Sequence, residues 1–469
     1  MPLPLLGRLG KIVYSIGNVG LTGFLQLMSV YLLFFLIDEV HMDPWLASLI
    51  FLISYGIWNA INDPIIGNLS DRTRTKWGRR RPYIMMGIPI MFFFAVLIWA
   101  PPIGGEPLAD PHSPSIFLYM MIVISIYEFG FTMVSLCRNA VFPEMWTDLK
   151  DRSEVTIYRE SFSVVGGILT MVIFPLIVDS FSEKFGTFGA WAWAGGIMAA
   201  IFSGTFLVSL LATRERKEFS VLDTPLPFIE SFKTAITNRS WITKTGATLM
   251  TTCVIDWISA MSPFFVKYSL GMGMEAITIM MGVQMITMFC FFPIWSRICI
   301  RYGTKVTLAV SMITFNIGPL FGLIAHDVLG IAMMGFAGGI TIGGFLLARA
   351  LMWADVIDED EIKTGVRREG IYAGISAPIG KISQIILATG TAFILSTIGY
   401  VSGLEPSNQP LSVGGGFRLG MALFPIIFTV IMLVFLKFYP LGKERVDEIS
   451  RIIKRMHAEK AKKMEEMTE

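Results

Sequence analysis

Apolar runs of about 20 residues recur along the whole chain, and each is long enough to cross roughly 30 Å of hydrocarbon. In lipid every backbone N–H and C=O must be paired internally, so spans of this length are helices. Strands of an outer-membrane barrel would be about half as long and would alternate in polarity, and these runs do neither. Composition agrees: 54% of the residues are hydrophobic and 16% charged, where a water-soluble chain carries about a quarter charged. The expected class is an all-α membrane protein.

The runs fall at approximately 12–37, 46–68, 83–104, 115–140, 157–179, 189–212, 241–270, 276–299, 304–325, 328–353, 370–398 and 416–438, which makes twelve transmembrane helices. The linkers between them alternate. One set is basic: Arg72 to Arg81 (RTRTKWGRRR), Lys150 to Arg159, Arg214 to Lys217, Arg297 to Lys305, Lys363 to Arg368 and the tail from Lys443. The other is nearly free of Lys and Arg: Asp38 to Trp45, Pro101 to Ser115, Ala325 to Val328 and Val401 to Gly416, with Lys184 and Lys267 as exceptions. Positive charge marks the cytoplasmic side, so both termini are expected there, in a multi-pass protein of the plasma membrane.

The longest basic linker follows the sixth span and splits the chain into similar halves. PIIGNLSDRTRTKWGRR begins at Pro64 and PIWSRICIRYGTK at Pro293, pairing Pro64 with Pro293 and Arg72 with Arg301 across the same offset. The reading is two pseudo-symmetric six-helix halves, the layout of the major facilitator fold. Residues 1–212 form the first half, 213–240 a linker, 241–440 the second half and 441–469 a tail helix, amphipathic through Val446, Ile449, Ile452, Ile453 and Met456.

The four cysteines lie in or beside apolar runs and read as buried hydrophobes, and the four histidines are too scattered for a metal site. A net charge of +2 points to no polyanionic partner, so no nucleic acid is expected. The first apolar run is too long for a cleavable leader.

Ionisable groups inside membrane spans are costly and therefore candidates for function. Asp63 lies near the inner end of the second span in WNAINDP, with Asn59 one turn earlier on the same face and Asn62 adjacent. A carboxylate beside two amides offers hard oxygens for a small cation, or a group that takes a proton. Lys381 lies near mid-bilayer in the eleventh span and needs an anionic partner, Asp63 being the obvious one. Arg138, beside Ser135 and Asn139 in the fourth span, could grip a substrate carboxylate or phosphate at two points, with Glu128 about three turns away. Arg159, Arg349 and Asp256 are further charged groups, and Tyr14, Trp58, Trp257 and Tyr372 could stack on a sugar ring or serve as interface anchors.

WNAINDPIIGNLSDRTRTKWGRRRPYI and ADVIDEDEIKTGVRREGIYAGISAPIGK resemble the glycoside–pentoside–hexuronide:cation symporters, the melibiose-carrier family. The first matches through Asp63 and a loop with Gly67, Asp71, Arg72, Gly78, Arg79 and Arg80. The second matches through Asp355, Asp358, Thr364, Gly365, Arg367, Glu369 and Gly370. The resemblance implies a cation site at Asp63, a coupling role for Lys381 and a place for Arg159 near the sugar. Sodium-using members have a second acid where this chain has Asn59, which leaves Asp63 as a lone protonatable carboxylate and points to H+ rather than Na+. Melibiose carriers have sugar-binding aspartates where Thr22 and Ser135 stand here, so a galactoside of that kind is not expected, and Arg138 points to a hexuronide.

The expected activity is therefore symport of a glycoside or hexuronide with H+ or Na+ by alternating access. Asp63, Asn59 and Asn62 would hold the ion and Lys381 would sense it. Arg138, Arg159, Glu128, Ser135, Thr22, Asn139 and Tyr372 would contact substrate. Gly67, Asp71, Arg72, Arg79 and Arg80, with Asp355, Asp358, Arg367 and Glu369, would gate the cytoplasmic face. No cofactor beyond the coupling ion is expected, and the partners are a small-molecule substrate and the bilayer, with the chain a monomer. A lysolipid or other amphiphile is the alternative substrate. An intramembrane Mg-dependent enzyme fits worst, because the acids near Asp63 are too widely spaced to face one another across a metal.

Overall fold

The structure is a computed structural model that describes residues 7–146, 149–215, 237–273, 275–364 and 369–468. Among the described residues it is helical throughout, with no strand beyond one isolated bridge between Thr75 and Gly78. Eleven segments among the described residues are long and apolar enough to cross a membrane. We label them α1 (Arg8–Glu39), α2 (Pro44–Gly67), α3 (Arg81–Trp99), α4 (Pro114–Phe142), α7 (Arg239–Ser269), α8 (Glu275–Tyr302), α9 (Thr304–Phe321), α10 (Val328–Thr364) and α12 (Leu411–Phe438); α11 is the helix Glu369–Ile398, apolar from Ile379. The remaining segment, Glu154–Ala212, has 59 residues, about 88 Å of helix and nearly three bilayer cores. It is broken at Gly186, where φ is +68° and ψ 172°. Glycine alone takes that conformation without strain. The arms 154–185 (α5) and 187–212 (α6) are separate spans, and twelve spans result, close to the sequence boundaries. The tail forms α13, Lys443–Thr468.

Contacts group the chain into two units. The first holds Met1–Thr224, Ser259–Gly282 and Gln384–Arg418; the second holds Pro225–Ile258, Val283–Ser383 and Leu419–Glu469. In the first, α3 and α4 approach closely through small residues. A Cβ on Gly87 would lie 2.8 Å from the Gly130 carbonyl oxygen. Such close backbone approach is how membrane helices associate, since burial against lipid gives no hydrophobic drive. Trp99 stacks on Trp191 at 5.6 Å among Phe35 and Phe174. In the second unit Trp257 stacks on Phe424 at 4.2 Å and donates from Nε1 to the Gly420 carbonyl, 3.1 Å.

Several helices contain wide π-turns: Phe35–Glu39 in α1, Leu52–Trp58 in α2 and Phe265–Ser269 in α7. Such turns favour functional positions because they shift side chains off the regular helical face. The α2 turn ends immediately before Asn59, and the other two carry Asp38 and Lys267.

Candidate functional site

On α2 and α4 four polar side chains form two rungs. Asn59 Nδ2 donates to Glu128 Oε2 at 3.0 Å, and Thr132 Oγ1 donates to Asp63 Oδ1 at 2.9 Å. Both rungs join residues 69 apart in sequence. Stepping four residues along each helix together requires parallel neighbours, as the second and fourth spans of an up-and-down bundle must be. Asn59, Asn62 and Glu128 are all buried. Asn62 Nδ2 donates to Asn59 Oδ1 at 3.1 Å, and its own Oδ1 is buried with no partner among the described residues. An acceptor left this way in a low-dielectric interior attracts a proton donor or a cation.

Sequence reasoning groups Asp63, Asn59 and Asn62; the structure bonds Asn62 to Asn59, while Asp63, one turn further along α2, accepts from Thr132. The sequence reading assigns Glu128 to substrate, whereas Glu128 reaches Asn59. Sequence reasoning misses Thr132, although it lies one turn from Glu128 as Asp63 does from Asn59. Glu128 thus brings a carboxylate from α4 to Asn59.

A second group surrounds α1. Arg138 is 1% exposed. Its Nη1 donates to Asn18 Oδ1 and its Nη2 to the Tyr14 carbonyl, both 2.7 Å, and Nε reaches Ser209 Oγ at 3.3 Å. The guanidinium lies over the Tyr14 ring at 4.7 Å. The expected open grip of Arg138 on substrate is not what the structure shows, since its fork is committed to the protein. Arg159 is less buried. It donates from Nε to the same Asn18 oxygen at 3.2 Å and from Nη2 to Asn139 Oδ1 at 3.0 Å. Two guanidinia therefore share one amide oxygen, and no carboxylate is bonded to either among the described residues. Thr22 and Ser135 are half-buried, about one turn from Asn18 and Arg138 respectively. Sequence reasoning also misses Asn18, because an uncharged residue in an apolar run carries no signal until its partners are known.

In the second unit Tyr372 is buried. It donates to Asp360 Oδ1 at 2.8 Å and accepts from Asn238 Nδ2 at 3.0 Å, a structural tie where a substrate contact was expected. Lys381 is half-buried on α11, two residues from Ser383, whose Oγ lies 2.8 Å from Asp256 Oδ2. Asp63 belongs to the first unit and Lys381 to the second. Lys244 is a buried cation that the sequence does not mark, resting over the Trp353 ring at 4.3 Å.

Among the residues expected at the cytoplasmic gate, Asp355 accepts from Thr304 Oγ1 at 3.1 Å, at the start of α9. Arg72 is exposed at the end of α2, Gly67 lies on that helix and Asp358 on α10. Arg367 and the side chains of Asp71 and Glu369 lie outside the described residues. The loop is tied to Glu215, which no motif points to. The Glu215 carboxylate, just past α6, accepts from the backbone N–H groups of Arg79, Arg80 and Arg81 at 2.7, 2.9 and 2.7 Å. These are orphan donors at the N-terminus of α3, where a carboxylate is favoured. Gly78, at φ +112°, lets the turn close on Glu215. Glu215→Ala is expected to destabilise this turn by about 1 kcal/mol. Faster hydrogen exchange at amides 79–81 would show it, and unchanged exchange would remove the assignment.

Buried carboxylates and arginines on neighbouring helices of a membrane bundle mark a candidate path for an ion or a polar substrate. The family described as MFS/sugar transport protein matches residues 13–443. The chain belongs to this family, that of the glycoside–pentoside–hexuronide:cation symporters within the major facilitator superfamily, and is a cation-coupled membrane symporter. It is similar to an isoprimeverose transporter of Lactiplantibacillus pentosus at 23% identity, covering 92% of this chain and 88% of the relative. It is also similar to the sodium-dependent lysophosphatidylcholine symporter 1 of Mus musculus at 22% identity, covering 93% and 86%. In fold it is similar to the nucleoside transporter NupG, with a TM-score of 0.62 at 14% identity, covering 94% of this chain and all of that one.

Proposed function

We propose that this chain couples H+ to the movement of a glycoside or hexuronide across the plasma membrane, with both termini in the cytoplasm and alternating access between its halves. The observation that carries the reading is the double rung of α2 and α4. Two carboxylates lie one turn apart on facing helices, tied to a threonine and two amides, with one amide oxygen unsatisfied. The Asn59 amide presents its nitrogen to Glu128, a donor that cannot ligate Na+, so a proton suits this arrangement better than a sodium cage. Taking up one proton removes one of the two negative charges and lowers the cost of moving the pair through a dry interior. Lys381 is the residue we assign to sensing that change of charge.

The substrate end is the arginine pair. Arg138 fixes Asn18, and Arg159 is left with neutral partners and an accessible edge, which suits the carboxylate of a hexuronide. The loop 67–81 and the acidic end of α10 are the parts we assign to the cytoplasmic gate.

One observation favours the lysolipid reading. An open groove of about 390 Å³ between α2 and α4 is lined by Ile53, Trp58, Met121, Ile122, Ile126 and Phe129, with Ser125 the one polar residue in its wall. Its apolar walls suit an acyl chain.

The test is the pH outside vesicles holding the purified protein while glycosides and hexuronides are added in turn. External alkalinisation with one sugar is expected. Uptake that rises steeply with Na+ at fixed pH would replace H+ as the ion. Silence across the panel with both ions, together with saturable lysophospholipid uptake, would reject the sugar and leave the amphiphile.

A further inference from the structure

We infer that Asp38, Lys267, Tyr268 and Tyr400 form a polar latch that closes the Lys/Arg-poor face of the transporter and must part in each transport cycle. The inference rests on the alternating-access reading above. Along the sequence Asp38 is the first residue of a linker, and Lys267 is an exception to the charge rule. The structure gives both a single explanation. The Asp38 side chain is completely buried at the end of α1. Lys267 Nζ lies 2.5 Å from its Oδ2, Tyr400 donates to its Oδ1 at 2.7 Å, and Tyr268 donates to the same oxygen. Tyr268 and Tyr400 hydroxyls lie 3.2 Å apart. A basic residue on the face that should lack them is thus neutralised in place.

Three features mark this cluster as a closure that opens. First, Asp38 and Lys267 are 229 residues apart, the offset that relates Pro64 to Pro293 and Arg72 to Arg301. Residues equivalent in the two copies of a repeat can touch only where the axis relating the copies passes between them, so this contact lies at the centre of its face. Second, both residues sit in π-turns, Phe35–Glu39 and Phe265–Ser269, which turn their side chains off the ordinary helical face.

Third, the chemistry is reversible. Beneath the cluster Phe264 packs on Phe34 at 4.9 Å and on Phe417 at 5.5 Å, a dry layer that strengthens the ion pair while closed. Each polar member can be hydrated when parted, and Lys267 is already 32% exposed. A permanent seam at this place would be apolar, since a buried ion pair contributes little net stability over well-packed hydrophobic side chains. Beside the latch Ser48 Oγ donates to the Ala388 carbonyl at 2.7 Å and Arg418 to the Ser269 carbonyl at 3.0 Å, bonds that water could also replace.

The experiment uses the full chain in nanodiscs with its four cysteines replaced and a single reporter, Phe264→Cys, labelled by a membrane-impermeant maleimide. Phe264 is fully buried under the latch, so its labelling rate reports opening. Asp38→Asn is expected to raise the rate by about tenfold or more, and the exchange Asp38→Lys with Lys267→Asp to return it toward the parent. Tyr400→Phe keeps the ring and deletes one donor, and should give a rise of about threefold to tenfold even if the charge variants fold poorly. Unchanged labelling in Tyr400→Phe together with unchanged or no recoverable labelling in Asp38→Asn would overturn the latch. So would equally fast labelling in the parent protein. Labelling needs neither ion nor substrate. A protein that labels as expected yet drives no ion-coupled uptake would keep the latch and lose the symport reading.

Discussion

Asp63→Asn is expected to abolish ion-driven accumulation of substrate, by a factor of about 100 or more in initial rate, while leaving the protein folded. The amide keeps the shape of the carboxylate and can still pair with Thr132, whose hydroxyl now lies 2.9 Å from Asp63 Oδ1. What it loses is the capacity to take a proton or carry charge. Energised uptake should therefore collapse, whereas exchange of substrate between two equilibrated compartments, which needs no net ion movement, should persist. Glu128→Gln makes the complementary case. It leaves an acceptor for Asn59 in place but removes the second carboxylate of the rungs. If both variants accumulated substrate at the parent's rate, the rungs would not be the ion site.

Arg138→Ala should have the largest effect on stability, a loss of about 3–5 kcal/mol. The guanidinium is buried, and removing it takes one donor each from the Tyr14 carbonyl, Asn18 Oδ1 and Ser209 Oγ while opening a cavity against the Tyr14 ring; Ser209 Oγ and the Tyr14 carbonyl keep their own bond at 2.7 Å. Part of Asn18 remains satisfied through Arg159, which limits the loss. Arg138→Lys restores charge but not the planar fork, and should recover less than half of it. Thermal unfolding in a fixed detergent measures this directly. An Arg138→Ala protein as stable as the parent, with only substrate affinity lowered, would return Arg138 to direct substrate contact and remove the structural role.

These two sites differ in how far the sequence alone reveals them. Asp63, Asn59 and Asn62 lie within five residues of one another, and helical spacing alone puts the first two on one face. Their grouping is a local property. Glu128 and Arg138 share a helix, and their spacing suggests a shared substrate role. The structure turns the first toward α2 and the second toward α1, because neighbouring helices on different sides of α4 supply their partners. Glu215 is hidden in a linker whose conspicuous feature is positive charge.

The sequence by itself determined that the chain is a bundle of twelve membrane helices. Hydrocarbon thickness fixes the length of each run, and the bilayer leaves the backbone no other way to pair its groups. It also determined which residue types stand inside the membrane, since each is conspicuous among apolar neighbours. Only the tertiary structure decided which of them meet. The pairing of Asp38 with Lys267 spans 229 residues, and neither the linker position of one nor the anomalous charge of the other names its partner. A pattern along one helix gives the face a residue occupies. The identity of the facing helix, and so the chemistry of the contact, follows from how the helices pack.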